Sequence, residues 1–383
     1  MASATLGALL CVVVLLPLLG ACARDPIGPR APGDSAIADT PPARPGADRF
    51  EQAALPPIAG ELVARMHLVD VGQGAATLFE LPCAAILVDT GGEAGGGFSA
   101  REALHAYLDA FFDRRADLAR TLALLVITHP HVDHTRNIKS LIDDYAVENV
   151  VTDGRTSGSG GSQQKWLQSW ASDNVHFEAV QSERVPAGGL TSRVIDPVHC
   201  KEIDPEVHAL WGSVAERPIG WTKDAFEDEN NHSVVVRIDA GPASFLVGGD
   251  LETAGMNAVL AKHRGTRALD VDVLEINHHG SDNGTSRPWL DAASPVVALV
   301  AVGSPEREAM WTAWAYGHPR RSVLDLLLAG SLQSRPPVTL QVAARAKTFE
   351  TVTLSRAFYG TGWDGDVVVT ARSDGSYRVQ TRR

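Results

Sequence analysis

The chain has 383 residues, 44% of them hydrophobic, and a formal charge of −12. That is enough length and apolar content for one large core with appendages. The acidic balance argues against a broad nucleic-acid-binding surface, which needs clustered Lys and Arg, but it leaves room for a phosphate-bearing substrate whose charge is met by metal ions.

Leu6 to Leu19 is almost wholly apolar, yet short for a bilayer span. At the extreme N-terminus such a run reads as the core of a signal peptide, although no Lys or Arg precedes it. Leu19-Gly20-Ala21-Cys22 follows and resembles the lipobox of bacterial lipoproteins. Residues 1–22 are then the leader, and Cys22 is the expected lipidation site of an exported, membrane-anchored protein of the bacterial envelope. The competing reading is an ordinary secretory signal with an incidental Cys. Residues 23–60 are rich in Pro, Ala, Gly and Asp without an apolar period, the pattern of a disordered tether. No run long enough to span a membrane follows the leader, so a channel is not expected. Cys83 and Cys200 remain for the folded part, and the sequence leaves open whether they pair.

From Leu62 onward short strands are expected, over Met66–Val71, Ala75–Glu80 and Ala84–Val88, the last running into Asp89-Thr90-Gly91-Gly92. His67 lies mid-strand and reads as structural. Gly91–Gly97 reads as a loop at a rim, and Ala100–Arg114 as a helix. Leu122–Ile127 is a buried strand by its aliphatic run. Pro130 stops it, so Thr128-His129-Pro130-His131-Val132-Asp133-His134 falls in a loop. A loop can aim these imidazoles and the carboxylate at one point, whereas a strand would send alternate ones to opposite faces. His and Asp are the donors a zinc-like ion takes.

A helix is expected over Thr135–Tyr145 with Thr135 at its start, then a strand at Val150–Thr152 and a helix at Gln164–Ala171. Residues 181–228 contain four prolines and read as an irregular connection long enough to cover a site. Trp211 and Trp221, inside it, read as packing residues. Asn230-Asn231-His232-Ser233 leads into a hairpin, Val234–Ile238 and Phe245–Val247, which ends in Gly248-Gly249-Asp250. Asp250 can also cap a helix over Leu251–Lys262. A strand at Asp272–Ile276 precedes Asn277-His278-His279-Gly280-Ser281, and Ser286 with Pro288 opens a further helix. Val296–Val302 is a strand, followed by Tyr316-Gly317-His318-Pro319. The tail is strand-rich, with Asp364-Gly365 and Asp374-Gly375 as hairpin turns.

The H-x-H-x-D-H pattern of residues 129–134 resembles the signature of the metallo-β-lactamase superfamily. The runs "HLVDVGQGAATLFE…ILVDTGG", "NNHS-VVVRI…FLVGGD", "NHHGS" and "GHP" together resemble the branch that contains the hydrolase domain of ComEC-type DNA-uptake proteins and related secreted hydrolases. The resemblance runs from about residue 62 to 319. It implies an α/β fold, a four-layer αββα sandwich over residues 61–335, with residues 336–383 as a β-rich extension of the same domain. It also implies two divalent ions, zinc first, with Mn or Fe as alternatives. His129 and His131 would hold one ion. Asp133 and His134 would hold the other or position the attacking water, and Asp250 would bridge the two. Asp89 would orient a ligand His through a hydrogen bond. One of His278 and His279 would be a ligand, with His278 favoured. His279 and His318 would then face substrate as groups that stabilise an oxyanion, with Asp133 counted among the catalytic residues. Many members carry another metal-binding His near the position of Asn230 and Asn231, and His232 is displaced from it.

The function implied is hydrolysis by a metal-bound hydroxide, on a phosphodiester as a nuclease or phosphodiesterase. Nucleic acid enters only as substrate, with Arg287, Arg320 and Arg321 as candidates for a local basic groove. The alternatives are hydrolysis of an amide, lactam, lactone or thioester, and a metal-binding envelope lipoprotein without turnover.

Overall fold

The structure, a computed structural model, describes residues 51–383. The leader, Cys22 and the tether up to residue 50 lie outside the described residues. Residues 51–60 were expected in the tether, but they belong to the fold. Leu55 and Ile58 are buried, and the Pro56 carbonyl accepts from Arg65 Nη2 at 2.7 Å. Two apolar side chains suffice to dock the segment, and a composition average over the tether hides them.

Fourteen strands make two sheets. They are β1 (Leu62–Leu68), β2 (Thr77–Glu80), β3 (Ala85–Val88), β4 (Leu124–Ile127), β5 (Asn149–Thr152), β6 (His176–Ala179), β7 (Glu206–Trp211), β8 (Val235–Ala240), β9 (Ala243–Val247), β10 (Val273–Glu275), β11 (Val297–Val300), β12 (Phe358–Gly360), β13 (Val367–Arg372) and β14 (Tyr377–Thr381). One sheet runs β6-β5-β4-β3-β2-β1-β13-β14, the other β7-β8-β9-β10-β11-β12. Both are mixed. The strands β3 to β6 are parallel, as are β9 to β12, and the remaining neighbours are antiparallel.

Alternation along the strands builds four layers. In β3, Ile86 and Val88 face the partner sheet, while Ala85 and Leu87 face helices. In β4, Leu124 and Val126 point inward, and Leu125 and Ile127 outward. Phe79 from one sheet meets Phe245 from the other edge to face, ring centroids 5.7 Å apart. Helix Ala100–Arg114 covers the first sheet with Leu104, Leu108, Phe111 and Phe112, and Ser99 Oγ caps it by accepting from Glu102 N–H. Helices Thr253–Lys262, Arg287–Ala293 and Arg321–Leu328 cover the second sheet. This is an αββα sandwich.

Several expectations are corrected. The connection at 181–228 contains β7, an edge strand of the second sheet that pairs antiparallel with β8. Trp211 at its end is buried and donates to the Asn231 carbonyl at 2.9 Å, a packing role. Asp364 closes a helical turn, Thr361–Asp364, instead of a hairpin. Gly375 does serve the turn between β13 and β14. Those two strands extend the first sheet beside β1, so the tail is integral to the sandwich. Cys83 and Cys200 form a disulfide across 117 residues, Cα–Cα 5.5 Å.

Candidate metal centre

Loops at one end of both sheets build the site. After β4 the chain turns at Pro130, and a helical turn opens at Val132 instead of Thr135. Thr135 does not cap it; its hydroxyl donates back to the His131 carbonyl at 3.0 Å. This early turn places Asp133 and His134 at its start. The loops after β1 and β3 clamp it: the Asp133 carbonyl accepts from Gly92 N–H at 2.9 Å and Ala75 N–H at 3.1 Å, and the His134 carbonyl from Thr90 N–H at 2.8 Å. The approach is so close that a Cβ on Gly91 would fall 1.4 Å from the Asp133 carbonyl oxygen.

Asp250 follows β9, and His278 and His279 follow β10. Donor atoms of Asp133, His134, Asp250 and His279 all lie within 4.8 Å of one another. The structure thus brings His279, and not the favoured His278, into this cluster. The backbone is left-handed at both residues, φ 48° and 52°, so neither strand nor helix periodicity tells which ring turns inward. His278 stands further off, Nε2 3.9 Å from Asp250 Oδ2, and His129 Nε2 is 4.0 Å from the same oxygen. His131 borders the same cavity. Asp250 does not cap the next helix, which starts after Glu252.

The donor set fits divalent ions because its tautomers are fixed. His134 Nδ1 donates to Asp89 Oδ2 at 2.7 Å, and His279 Nδ1 to the Ala301 carbonyl at 2.7 Å. Asp89 also accepts from Thr128 N–H and Oγ1–H, both at 2.8 Å. The Thr128 hydroxyl is thereby committed as a donor and accepts from His129 Nδ1 at 3.1 Å. In all three rings Nδ1 carries a proton bonded away from the site, which leaves Nε2 as the atom turned toward it. Among the described residues, Nε2 of His129, His134 and His279 is buried with no hydrogen-bond partner. Buried polar atoms are rarely left so, and a metal ion is the partner that satisfies such lone pairs.

Electrostatics agrees. Burial pushes His279 down, but Asp250 and Asp133 outweigh it and hold its pKa at about 10. Burial opposes charge on His134 too, yet Asp250 and Asp89 keep it well above its ordinary value. Burial works against the Asp250 carboxylate, but His134, His279 and His278 hold its pKa well below the usual range. Without ions these carboxylates draw protons onto the imidazoles, and a divalent cation competes for the same place. Burial drives His129 the other way, far below its ordinary value, reinforced by His134 and His131.

A cavity of about 590 Å³ opens over the cluster, lined by His131, Asp133, Asp250, His278, His279 and His318, among others. Nδ1 of His318 lies 3.3 Å from Gln73 Nε2, which donates to it, so the His318 proton is on Nε2. The Tyr316 ring stacks on His318 at 5.7 Å, and Trp311, 66% exposed, stands at the mouth. Gln73, Arg136, Trp311 and Tyr316 are cavity residues absent from the sequence-derived set. The one signal for Gln73 was its Gly-Gln-Gly turn between two strands aimed at the site. Arg287, Arg320 and Arg321 form no basic groove there: each pairs with a carboxylate, Asp291, Asp282 and Asp325 respectively, and none lines the cavity.

Comparison with known proteins adds a lineage. The family profile described as "Metallo-beta-lactamase superfamily" matches residues 69–304, well over half the chain. The chain is 26% identical over 277 residues to "ComE operon protein 3" of Bacillus subtilis, covering 70% of this chain and 31% of that protein. It is 27% identical over 282 residues to "Competence protein ComA" of Neisseria gonorrhoeae, covering 73% and 31%. It is 25% identical over 266 residues to "Recombination protein 2" of Haemophilus influenzae, covering 69% and 26%. The chain thus spans less than a third of the length of these relatives.

Proposed function

The chain belongs to the metallo-beta-lactamase superfamily, a family of metal-dependent hydrolases, and from that premise we propose that it is a binuclear phosphodiesterase of the bacterial envelope. The observation that carries this reading is the setting of Asp250. Its carboxylate lies 3.1 Å from His134 Nε2, 3.3 Å from His279 Nε2, 3.9 Å from His278 Nε2 and 4.0 Å from His129 Nε2. Two carboxylate oxygens among so many imidazoles can serve two ions, with Asp133, His134 and His279 on one and His129 and His131 on the other. When bound, divalent ions, zinc by first choice, supply an activated water and positive charge for the attacking and leaving oxygens of an in-line displacement.

The chain's own groups do the rest. Asp89 and the Ala301 carbonyl keep the His134 and His279 lone pairs aimed at the site. His318, held neutral by burial and by the nearby His279 and His278, offers an Nε2–H to a developing oxyanion. Arg136, in the cavity wall, adds a cation for a phosphoryl group. Relatives named as a competence protein and a recombination protein are consistent with nucleic acid among the substrates.

The test compares bis-p-nitrophenyl phosphate with nitrocefin. Phosphodiester turnover should dominate and should fall by orders of magnitude in His131→Ala. Strong nitrocefin hydrolysis without phosphodiesterase activity would move the substrate to a lactam or another acyl compound. The Cys83–Cys200 disulfide and the lipobox-like Leu19–Cys22 support an exported, lipid-anchored location. Expressed in a bacterium, the wild type should partition with membranes and Cys22→Ser should not. Equal partition of the two would leave a plain secretory signal.

A further inference from the structure

The segment Asn230-Asn231-His232 lies beside the loop of His129 and His131, and hydrogen bonding distinguishes its side chains. His232 is spent. Its Nδ1 accepts from Val214 N–H at 3.1 Å and its Nε2 meets the Phe226 carbonyl at 2.8 Å. Asn231 is spent as well, Oδ1 accepting from Gly255 N–H at 2.8 Å and Nδ2 donating to the Ala225 carbonyl at 3.0 Å. Asn230 is different. It is buried, 5% exposed, and lines the metal cavity. Its Nδ2 donates to Glu252 Oε1 at 3.0 Å. A carboxylate accepts only, so this bond fixes which way round the amide sits. Its Oδ1 is left buried, with no hydrogen-bond partner among the described residues.

The backbone sets Asn230 beside the loop that carries His129 and His131. Asn230 sits in a 3₁₀ turn, Glu229–His232, where Asp228 Oδ1 accepts from its N–H at 3.1 Å. Its neighbour Glu229 comes within 3.9 Å of His131 Nε2. Four residues on from Asn230, Val234 N–H donates at 2.8 Å to the carbonyl of Thr128, the residue before His129. Resting on the binuclear reading, we infer that Asn230 Oδ1 is the third protein donor to the ion held by His129 and His131, and that Glu252 is the positioning residue that aims it. An amide oxygen is a neutral, hard donor that suits divalent cations bound through oxygen and imidazole.

The test is a titration of metal-free protein with Mn²⁺, bound and free ion being distinguished by electron paramagnetic resonance. The wild type should take two equivalents. Asn230→Ala should keep one tight equivalent, at Asp133, His134, Asp250 and His279, which also reports that the variant has folded. The other should weaken on the order of 10–100-fold. Asn230→Asp, which restores an oxygen donor, should take two. If the Ala variant is unstable, Asn230→Leu, close in volume and without a donor, gives the same readout. Two equivalents of unchanged affinity in Asn230→Ala or Asn230→Leu would overturn the inference, and a fall in phosphodiester turnover beside unchanged binding would move Asn230 to the substrate. One equivalent in the wild type itself would instead sink the binuclear reading beneath it.

Discussion

His318 lies outside the cluster of Asp133, His134, Asp250 and His279 but lines the cavity over it. Gln73 fixes its tautomer, Tyr316 and His279 flank its ring, with His279 stacked at 6.2 Å, and burial keeps it neutral. Replacing it should leave the ions in place and remove a donor to the transition state. We expect His318→Ala to lower kcat on the order of 10²-fold at unchanged metal content; loss of metal in that variant would place His318 among the ligands instead. The same effect was expected of His279 from sequence, but its Nε2 falls among the donor atoms of Asp133, His134 and Asp250, so on the proposed reading His279→Ala should lose metal. Residues of this kind divide by how local their signal is. His129, His131, Asp133 and His134 were legible because one short loop collects them, and Asp250 because its glycines mark the end of a strand. The choice between His278 and His279 was not, since two successive left-handed residues break any periodic rule. Trp311 had no sequence signal, because it is a loop's path that brings it over the cavity, and Tyr316 only that of adjoining the Gly317-His318-Pro319 run.

Among the elements, β7 and the disulfide explain each other. Glu206–Trp211 alternates polar and apolar residues only weakly and lies among prolines, so it reads as irregular, and only pairing with β8 makes it a strand. Cys200, just before it, is tied to Cys83 in the turn between β2 and β3. The bridge thus pins the long connection to the first sheet. By loop-closure entropy a bridge over so long a loop stabilises by about 5 kcal/mol. Cys83→Ser should lower the denaturant midpoint accordingly, and dithiothreitol should do the same to the wild type but not to the variant. Equal midpoints in all three conditions would show that packing alone holds the connection. The strands with strict alternation or continuous aliphatic runs, β3, β4 and β9, were readable because burial on both faces dictates composition.

For the whole molecule, the decisive fact is that neither sheet owns the site. His129 to His134 come from the first sheet, Asp250 and His279 from the second, and the inter-sheet core around Phe79 and Phe245 sets their separation. The sandwich was legible from the motifs taken together, because each falls at the end of a strand. What was not legible is how the segments between them pack, since that depends on long-range contacts such as those of the tail strands with β1. Asp250 is where the two halves meet chemically, with imidazoles from both sheets around its carboxylate. The central claim is therefore a binuclear centre hinged on that one carboxylate, and elemental analysis of the protein purified without chelator tests it most directly. The wild type should carry more than one metal equivalent, and Asp250→Ala should show a marked loss. Unchanged occupancy in Asp250→Ala would contradict the account.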